Sequence, residues 1–146
     1  MANAKNDYPE LLLENQLCFP LYACSKEIIR RYRPFLDELE LTYTQYLVML
    51  VLWEKQSLSS KELGQALYLD SGTLTPVLKK LEEKGLLSRR RSGDDERNLL
   101  VSLTERGEAL RERAVSVPAQ IVKCVSLDES DARELYRLLY KFLGSL

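Results

Sequence analysis

Histidine is absent from all 146 residues, which removes the commonest metal ligand and the usual general base of catalysis near neutral pH. Cysteine is scarce. Cys18, Cys24 and Cys124 are odd in number and far apart, a pattern that argues against a disulfide framework and against a zinc site. No metal and no cofactor is therefore expected. Long apolar runs are missing too: none approaches a membrane span, and the opening MANAKNDYPE lacks a secretory pattern. These features predict a protein with no membrane partner, placed in the cytoplasm. An excess of either charge is also lacking, since 21 basic and 22 acidic residues leave a net charge of −1. No internal repeat, low-complexity tract or linker divides the chain, and its length suits one domain with its own core.

What the chain does contain is centred on Asp70 to Glu105, DSGTLTPVLKKLEEKGLLSRRRSGDDERNLLVSLTE. Leu74, Val77, Leu78 and Leu81 recur at helical spacing and predict one apolar stripe facing a core. Gly72, Thr73, Pro76, Lys79, Lys80 and Glu83 fall on the opposite side. Pro76 is expected near the helix start, where backbone N–H groups have no intrahelical partner. Gly85 is a good helix stop. Two β-prone runs follow, Leu86 to Arg91 and Asn98 to Leu103, around the polar tip Ser92-Gly93-Asp94-Asp95-Glu96-Arg97. A helix with a polar, partly basic face followed by a basic hairpin is the pattern of a winged helix-turn-helix, which reads DNA. Ser71 to Arg97 holds seven Lys/Arg against five Asp/Glu, so this reading rests on geometry more than on charge.

Capping boxes mark the other helices. Leu11 to about Leu39 reads as one long helical region. Thr42-x-x-Gln45 opens a second helix, Ser59-x-x-Glu62 a third and Ser126-x-x-Glu129 the last. Thr104 is a plausible cap for a helix from Glu105 to about Val117, broken or bent at Pro118. The fold class expected is mainly α with a small β-wing. Both terminal regions are too apolar for a monomer of this size: Leu11, Leu12, Leu13, Leu17, Phe19 and Leu21 at one end, Ile121, Val122, Leu135, Leu138, Leu139, Tyr140, Phe142 and Leu143 at the other. They complete a monomer core or intertwine with a second copy, and a two-fold homodimer suits a paired, pseudo-palindromic DNA site. Dimerisation helices at about 8–40 and 105–146 would then flank a winged helix-turn-helix at about 41–104.

Leu58 to Glu105 resembles the winged-helix core of the multiple-antibiotic-resistance regulator (MarR) family. More narrowly, Leu13-Glu14-Asn15-Gln16-Leu17-Cys18-Phe19 and Tyr68-Leu69-Asp70-Ser71-Gly72-Thr73-Leu74-Thr75-Pro76 resemble its organic-hydroperoxide-sensing branch, the OhrR type. The likeness extends through Leu41-Thr42-Tyr43-Thr44-Gln45-Tyr46-Leu47 and Asp95-Glu96-Arg97. D-E-R in the wing is common across the family, whereas N-Q-L-C-F is more specific to the thiol sensors.

The resemblance implies that Cys18 is oxidised by peroxide and that Tyr32 and Tyr43 hydrogen-bond its sulfur. Phenolic O–H donors favour a thiolate over a thiol, and the thiolate is the nucleophile toward a peroxide O–O bond. Without the resemblance, a lone cysteine reads as a small inert hydrophobe, and Cys24 is read so here. Pro20 departs from the family, which has an ordinary apolar residue there; the first helix should kink or begin at it. Cys124 falls where two-cysteine members carry a resolving thiol, although one-cysteine members use a small external thiol instead.

For DNA, the resemblance implies phosphate or base-edge contacts from Ser71, Thr73 and Thr75, with Lys79 and Lys80 on phosphates. Arg97 would enter a minor groove, steadied by Asp95, and Arg89, Arg90 and Arg91 would flank the backbone or simply form a solvated strand. The function expected is a homodimeric repressor of peroxide-resistance genes, bound to double-stranded operator DNA and released when an organic hydroperoxide oxidises Cys18. The alternatives are a regulator switched by a small phenolic ligand and, from a different class, a thiol peroxidase using Cys18. Neither missing histidine nor an unused recognition helix suits an enzyme.

Overall fold

The computed structural model describes residues 8–91, 93 and 99–146. The expected wing tip, with Asp95 and Arg97, lies outside the described residues. The chain forms two compact units, one running to Val115 and the other Ser116–Leu146.

The first helix is not continuous from Leu11. Two 3-10 turns, Pro9–Leu11 and Leu13–Asn15, precede α1, Cys18–Asp37. Asn15 Nδ2 and Gln16 Nε2 donate to the carbonyls of Pro9 (2.8 Å) and Glu10 (2.7 Å), folding the lead-in back on itself. Pro20 explains the boundary: it has no N–H to give, and its ring excludes a helical carbonyl four residues earlier. As the third residue of α1 it sits where N–H groups are orphaned anyway. The helix thus begins at the proline turn, one of the two outcomes expected. At the other end Glu40 adopts φ +56°, while Leu41 N–H and Glu40 N–H donate to Leu36 and Asp37 carbonyls, both at 3.0 Å. That is a Schellman closure with glutamate in the place usually held by glycine.

Helix α2, Tyr43–Lys55, opens on the expected Thr42/Gln45 box and buries Tyr46, Val48, Met49, Leu52 and Trp53. A strand not anticipated from the sequence comes next: β1, Ser57–Ser59, pairs antiparallel with β3, Leu99–Leu103. Three residues are too few to show alternation, so only the pairing reveals it. Helix α3, Ser60–Leu67, carries the Ser59/Glu62 box, and Asp70 caps α4, Ser71–Glu83. Gly85 (φ +72°) ends α4, with Gly85 and Leu86 N–H groups on the Glu82 and Leu81 carbonyls at 2.8 and 3.0 Å. Strands β2, Leu87–Arg91, and β3, Leu99–Leu103, form the wing, in the sheet order β1-β3-β2. Alternation buries Leu87 and Val101 and leaves Arg90 opposite the exposed Leu100.

Helix α5, Glu105–Ala114, is capped by Thr104, whose hydroxyl also donates to the Gly85 carbonyl at 2.6 Å. It ends short of the expected Val117. Trp53 Nε1 donates to the Gly107 carbonyl at 2.9 Å, fastening α2 to α5. In the second unit, α6, Val117–Lys123, has Pro118 in its first turn, and α7 runs Glu129–Leu143. The cap of α7 is Asp128 rather than Ser126: its carboxylate accepts the Asp131 N–H at 2.8 Å. Residues 125–128 are not helical, so Ser126 stands too far upstream. Leu135, Leu138, Leu139 and Phe142 lie at 36–45% exposure, and α7 buries no residue.

Candidate nucleic-acid interface and thiol site

Asp70 fixes the start of α4. Its carboxylate accepts the Thr73 N–H at 2.8 Å and the Thr73 hydroxyl at 3.3 Å. These bonds hold its carboxyl below the usual range. Leu74, Leu78 and Leu81 turn inward, while Ser71, Thr73, Thr75, Lys79 and Lys80 are exposed together, as the stripe predicts. Pro76 corrects the reading. It is the sixth residue of α4, beyond the orphan turn, so it deletes the bond to the Gly72 carbonyl and the helix tolerates the loss. Ser71 and Thr75 line an open groove with Lys61, Gln65 and Tyr68 of the α3 side. Those three were not singled out from the sequence. Their i, i+4, i+7 spacing is the signal that could have found them. Tyr68 is 70% exposed in the left-handed conformation (φ +54°) at the turn between the helices.

Arg89 behaves differently from its neighbours. Its Nε and Nη2 donate to Glu82 Oε2 at 3.0 and 2.8 Å, and its N–H donates to Glu82 Oε1 at 2.9 Å. The pair ties the wing root to α4, whereas Arg90 and Arg91 are exposed. Arg89's side-chain and backbone hydrogen bonds hold the Glu82 carboxyl below its ordinary value. Since the folded-state value is depressed, the pair's stabilisation is present above the unfolded value and lost as pH falls through the folded one. Glu82→Gln should therefore lower the melting temperature slightly at pH 7 and lose the difference from wild type below the carboxylate range. Equal losses at both pH values would show that the ion pair is not the cause. The side chains are 20% and 36% exposed, so the effect is that of a solvent-screened pair, at most about 1 kcal/mol.

Cys18 is the first residue of α1 and is exposed. Exposed Leu17 and Phe19 flank it. Tyr32 and Tyr43 do meet: their rings lie 4.9 Å apart, and Tyr46 adds a third ring 5.8 Å from Tyr32. Tyr46 also contacts Trp53 edge-on at 6.4 Å. Burial raises the phenol pKa of Tyr32, with Tyr43 adding to the shift, and burial also raises that of Tyr43. Burial pushes Tyr46 up to about 12, with its two neighbours contributing. All three phenols thus remain O–H donors at neutral pH. Within one chain they do not meet Cys18, because Tyr32 is fourteen residues along the same helix, roughly 21 Å at 1.5 Å per residue.

The other two cysteines are also exposed. For Cys24 this corrects the expectation of a packed hydrophobe: it lies on a face of α1 that the chain leaves open. Cys124 caps α6, its Sγ 3.4 Å from the Gln120 carbonyl. Among the described residues no cluster suited to a metal is present, and no helix is long and apolar enough to cross a membrane.

A capped, polar-faced helix following a short helix and turn, braced by a three-stranded sheet, defines a winged helix-turn-helix regulator. The sequence pattern of the SarA/Rot transcriptional regulators matches residues 30–113. The organic hydroperoxide resistance transcriptional regulator of Bacillus subtilis is 49% identical over 142 residues, 97% of each chain. The structure of reduced AbfR bound to DNA superposes with a TM-score of 0.74 at 37% identity, covering 91% of this chain and 92% of that one. Disulfide-formed AbfR gives 0.61 at 35% identity, over 91% and 88%. The chain belongs to the MarR family of winged-helix regulators, in the branch of the organic hydroperoxide resistance regulators.

Proposed function

We propose that this protein is a homodimeric repressor that binds a pseudo-palindromic operator and releases it when an organic hydroperoxide oxidises Cys18. The observation that carries this is an exposed thiol at the start of α1, on a helix whose far half bears Tyr32, one of a pair of protonated phenols completed by Tyr43 at the start of α2. Because about 21 Å of rigid helix separates them in one chain, a phenol–sulfur contact is one between subunits. The exposed apolar residues of α7 and of the lead-in to α1 supply a surface for that dimer. Residues 8–40 and 105–146 would furnish the dimerisation helices around one DNA-binding region.

The chemistry is stoichiometric. The Cys18 thiolate attacks the terminal peroxide oxygen, the S–O bond forms as the O–O bond breaks, and the alkoxide leaves, taking a proton from water to become the alcohol. Sulfur, oxidised by two electrons, becomes a sulfenic acid. A second thiol then condenses with it, forming a disulfide and releasing water. No turnover is required, which separates this role from that of a peroxidase. The reaction takes place in the cytoplasm, where the DNA is. The direct test is a gel shift on the gene's own upstream region, with and without cumene hydroperoxide. Binding that persists after oxidation would defeat the proposal, and steady peroxide consumption with thioredoxin would favour the enzyme.

Ser71, Thr73 and Thr75 on α4 are the proposed groove contacts, with Lys79, Lys80, Arg90 and Arg91 toward phosphates and Arg97, oriented by Asp95, in a minor groove. Lys79→Ala and Lys80→Ala should each reduce the salt dependence of binding by about one unit of log–log slope, one phosphate contact apiece. Arg97→Ala should cost about 1–3 kcal/mol of operator affinity. Titrations between low and physiological salt check both. Unchanged slopes would remove the lysines from the interface, and unchanged affinity would remove Arg97.

Cys124 is proposed as the resolving thiol, across the dimer. A disulfide needs Cα atoms within about 7 Å; in the reduced dimer the two thiols are proposed to stand farther apart, so that closing the bond moves helices. After one equivalent of hydroperoxide, a non-reducing gel should show a covalent dimer that both Cys18→Ser and Cys124→Ser abolish. A monomer carrying a small-thiol adduct on Cys18 would instead make this a one-cysteine sensor.

A further inference from the structure

We infer that Lys84 is the positioning residue that couples the tyrosine-bearing corner to the DNA-reading helix; the inference rests on the function proposed above. Lys84 is the C-cap of α4. Its Nζ donates to the Glu40 carbonyl and, at 3.2 Å, to Gln45 Oε1. Both acceptors belong to the α1–α2 corner. Glu40 is its left-handed residue, at φ +56°. Gln45 is a buried polar side chain, 3% exposed, two residues from Tyr43 and adjacent to Tyr46.

The same Gln45 oxygen also accepts the Thr42 N–H, at 3.1 Å. One amide oxygen thus joins the first turn of α2, which carries Tyr43, to the last turn of α4. Apart from Glu82, whose pairing with Arg89 faces the wing and not the corner, the anchors of α4 are the apolar Leu74, Leu78 and Leu81, and apolar contact is non-directional. Lys84's bonds are directional and go to neutral acceptors, so they depend on where those atoms stand and weaken steeply with misalignment. Arg113 of α5, which lines a common cavity with Glu40 and Lys84, donates to the Glu38 carbonyl at 2.6 Å. The corner is therefore held by two cations, one of them at the end of the reading helix. Any displacement of the tyrosine pair that moves the corner is passed to α4 through Lys84.

The test compares operator affinity before and after one equivalent of cumene hydroperoxide, by fluorescence anisotropy, in the intact dimer. Wild type should show a large ratio between the two dissociation constants. Lys84→Met should shrink that ratio by about fivefold or more, the low end of ordinary allosteric couplings. The rate of Cys18 oxidation, followed by trapping the sulfenic acid with dimedone, should stay at the wild-type value. Lys84→Arg, which keeps the charge and a donor, should restore much of the ratio. If Lys84→Met weakens both states equally, or leaves the ratio at the wild-type value, Lys84 only stabilises the fold and the inference fails while the sensor reading stands. If wild type itself is not released by peroxide, both fall. Should Lys84→Met not fold, Lys84→Gln is read by the same criteria.

Discussion

Cys18→Ser should bind operator within about threefold of wild type, as expected for a near-isosteric exposed change, and should not release it at any peroxide dose that empties the wild-type complex. Serine keeps the shape of the first turn of α1, and Cys18 packs into no core of its own chain, where it is exposed. What serine lacks is a polarizable nucleophile that can be oxidised at sulfur. Cys24→Ser is the matched control, an exposed cysteine on the same helix, and should release like wild type. Tyr32→Phe and Tyr43→Phe should bind DNA normally but react up to about tenfold more slowly, each having lost a hydrogen bond to a charged sulfur. Their phenols are protonated donors at neutral pH, as an ordinary tyrosine is, and burial raises both pKa values further. Release of Cys18→Ser at the wild-type dose would make another group the sensor and revive a bound phenolic ligand as the switch.

Gly107→Ala should be the most destabilising single-methyl change in the first unit. A Cβ there would stand 2.1 Å from the Leu86 carbonyl oxygen and 2.7 Å from Leu103 Cδ1. The first obstacle is backbone and cannot swing away. Gly107 also donates its N–H to the Thr104 hydroxyl at 3.0 Å and accepts the Trp53 indole N–H at 2.9 Å. Relief of the clash must therefore disturb the α5 cap, the α2 contact or the root of β2. We expect a loss of roughly 3 kcal/mol, the upper end for overpacking, and a fall in melting temperature on the order of 10 °C for a chain of this length. Calorimetry checks it. A melting temperature within about 2 °C of wild type would mean that α5 and β2 separate readily, and that the close approach is not a constraint.

Much of this molecule was legible because its signals are local. The Thr42/Gln45 and Ser59/Glu62 boxes are satisfied within one turn, so sequence spacing suffices to place both helices. The same holds for Gly85, whose left-handed φ closes α4 in bonds reaching at most five residues back. The stripe of Leu74, Leu78 and Leu81 likewise needs only the 3.6-residue period to reveal which side of α4 is exposed. Resemblance around Asn15 to Phe19 singled out Cys18, and the structure leaves that thiol open to solvent.

Tertiary structure decided what depends on a distant partner. Ser57–Ser59 became a strand only because Ser57, Leu58 and Ser59 pair with Ser102, Val101 and Leu100, and no three-residue pattern encodes a neighbour more than forty positions away. Arg89, one of three consecutive arginines, was drawn to Glu82 while the other two kept their exposure. Ser126 lost the cap of α7 to Asp128, although both offer the right chemistry. Cys24 reads as a packed hydrophobe from the habits of its residue type, but a cysteine is buried only where another surface covers it, and this one is exposed. The same physics governs the sensor itself. The sequence placed Cys18, Tyr32 and Tyr43 in one chain, yet a rigid helix of 1.5 Å per residue holds Cys18 and Tyr32 roughly 21 Å apart, so the contact proposed between them belongs to how two chains pack and not to the order of their residues.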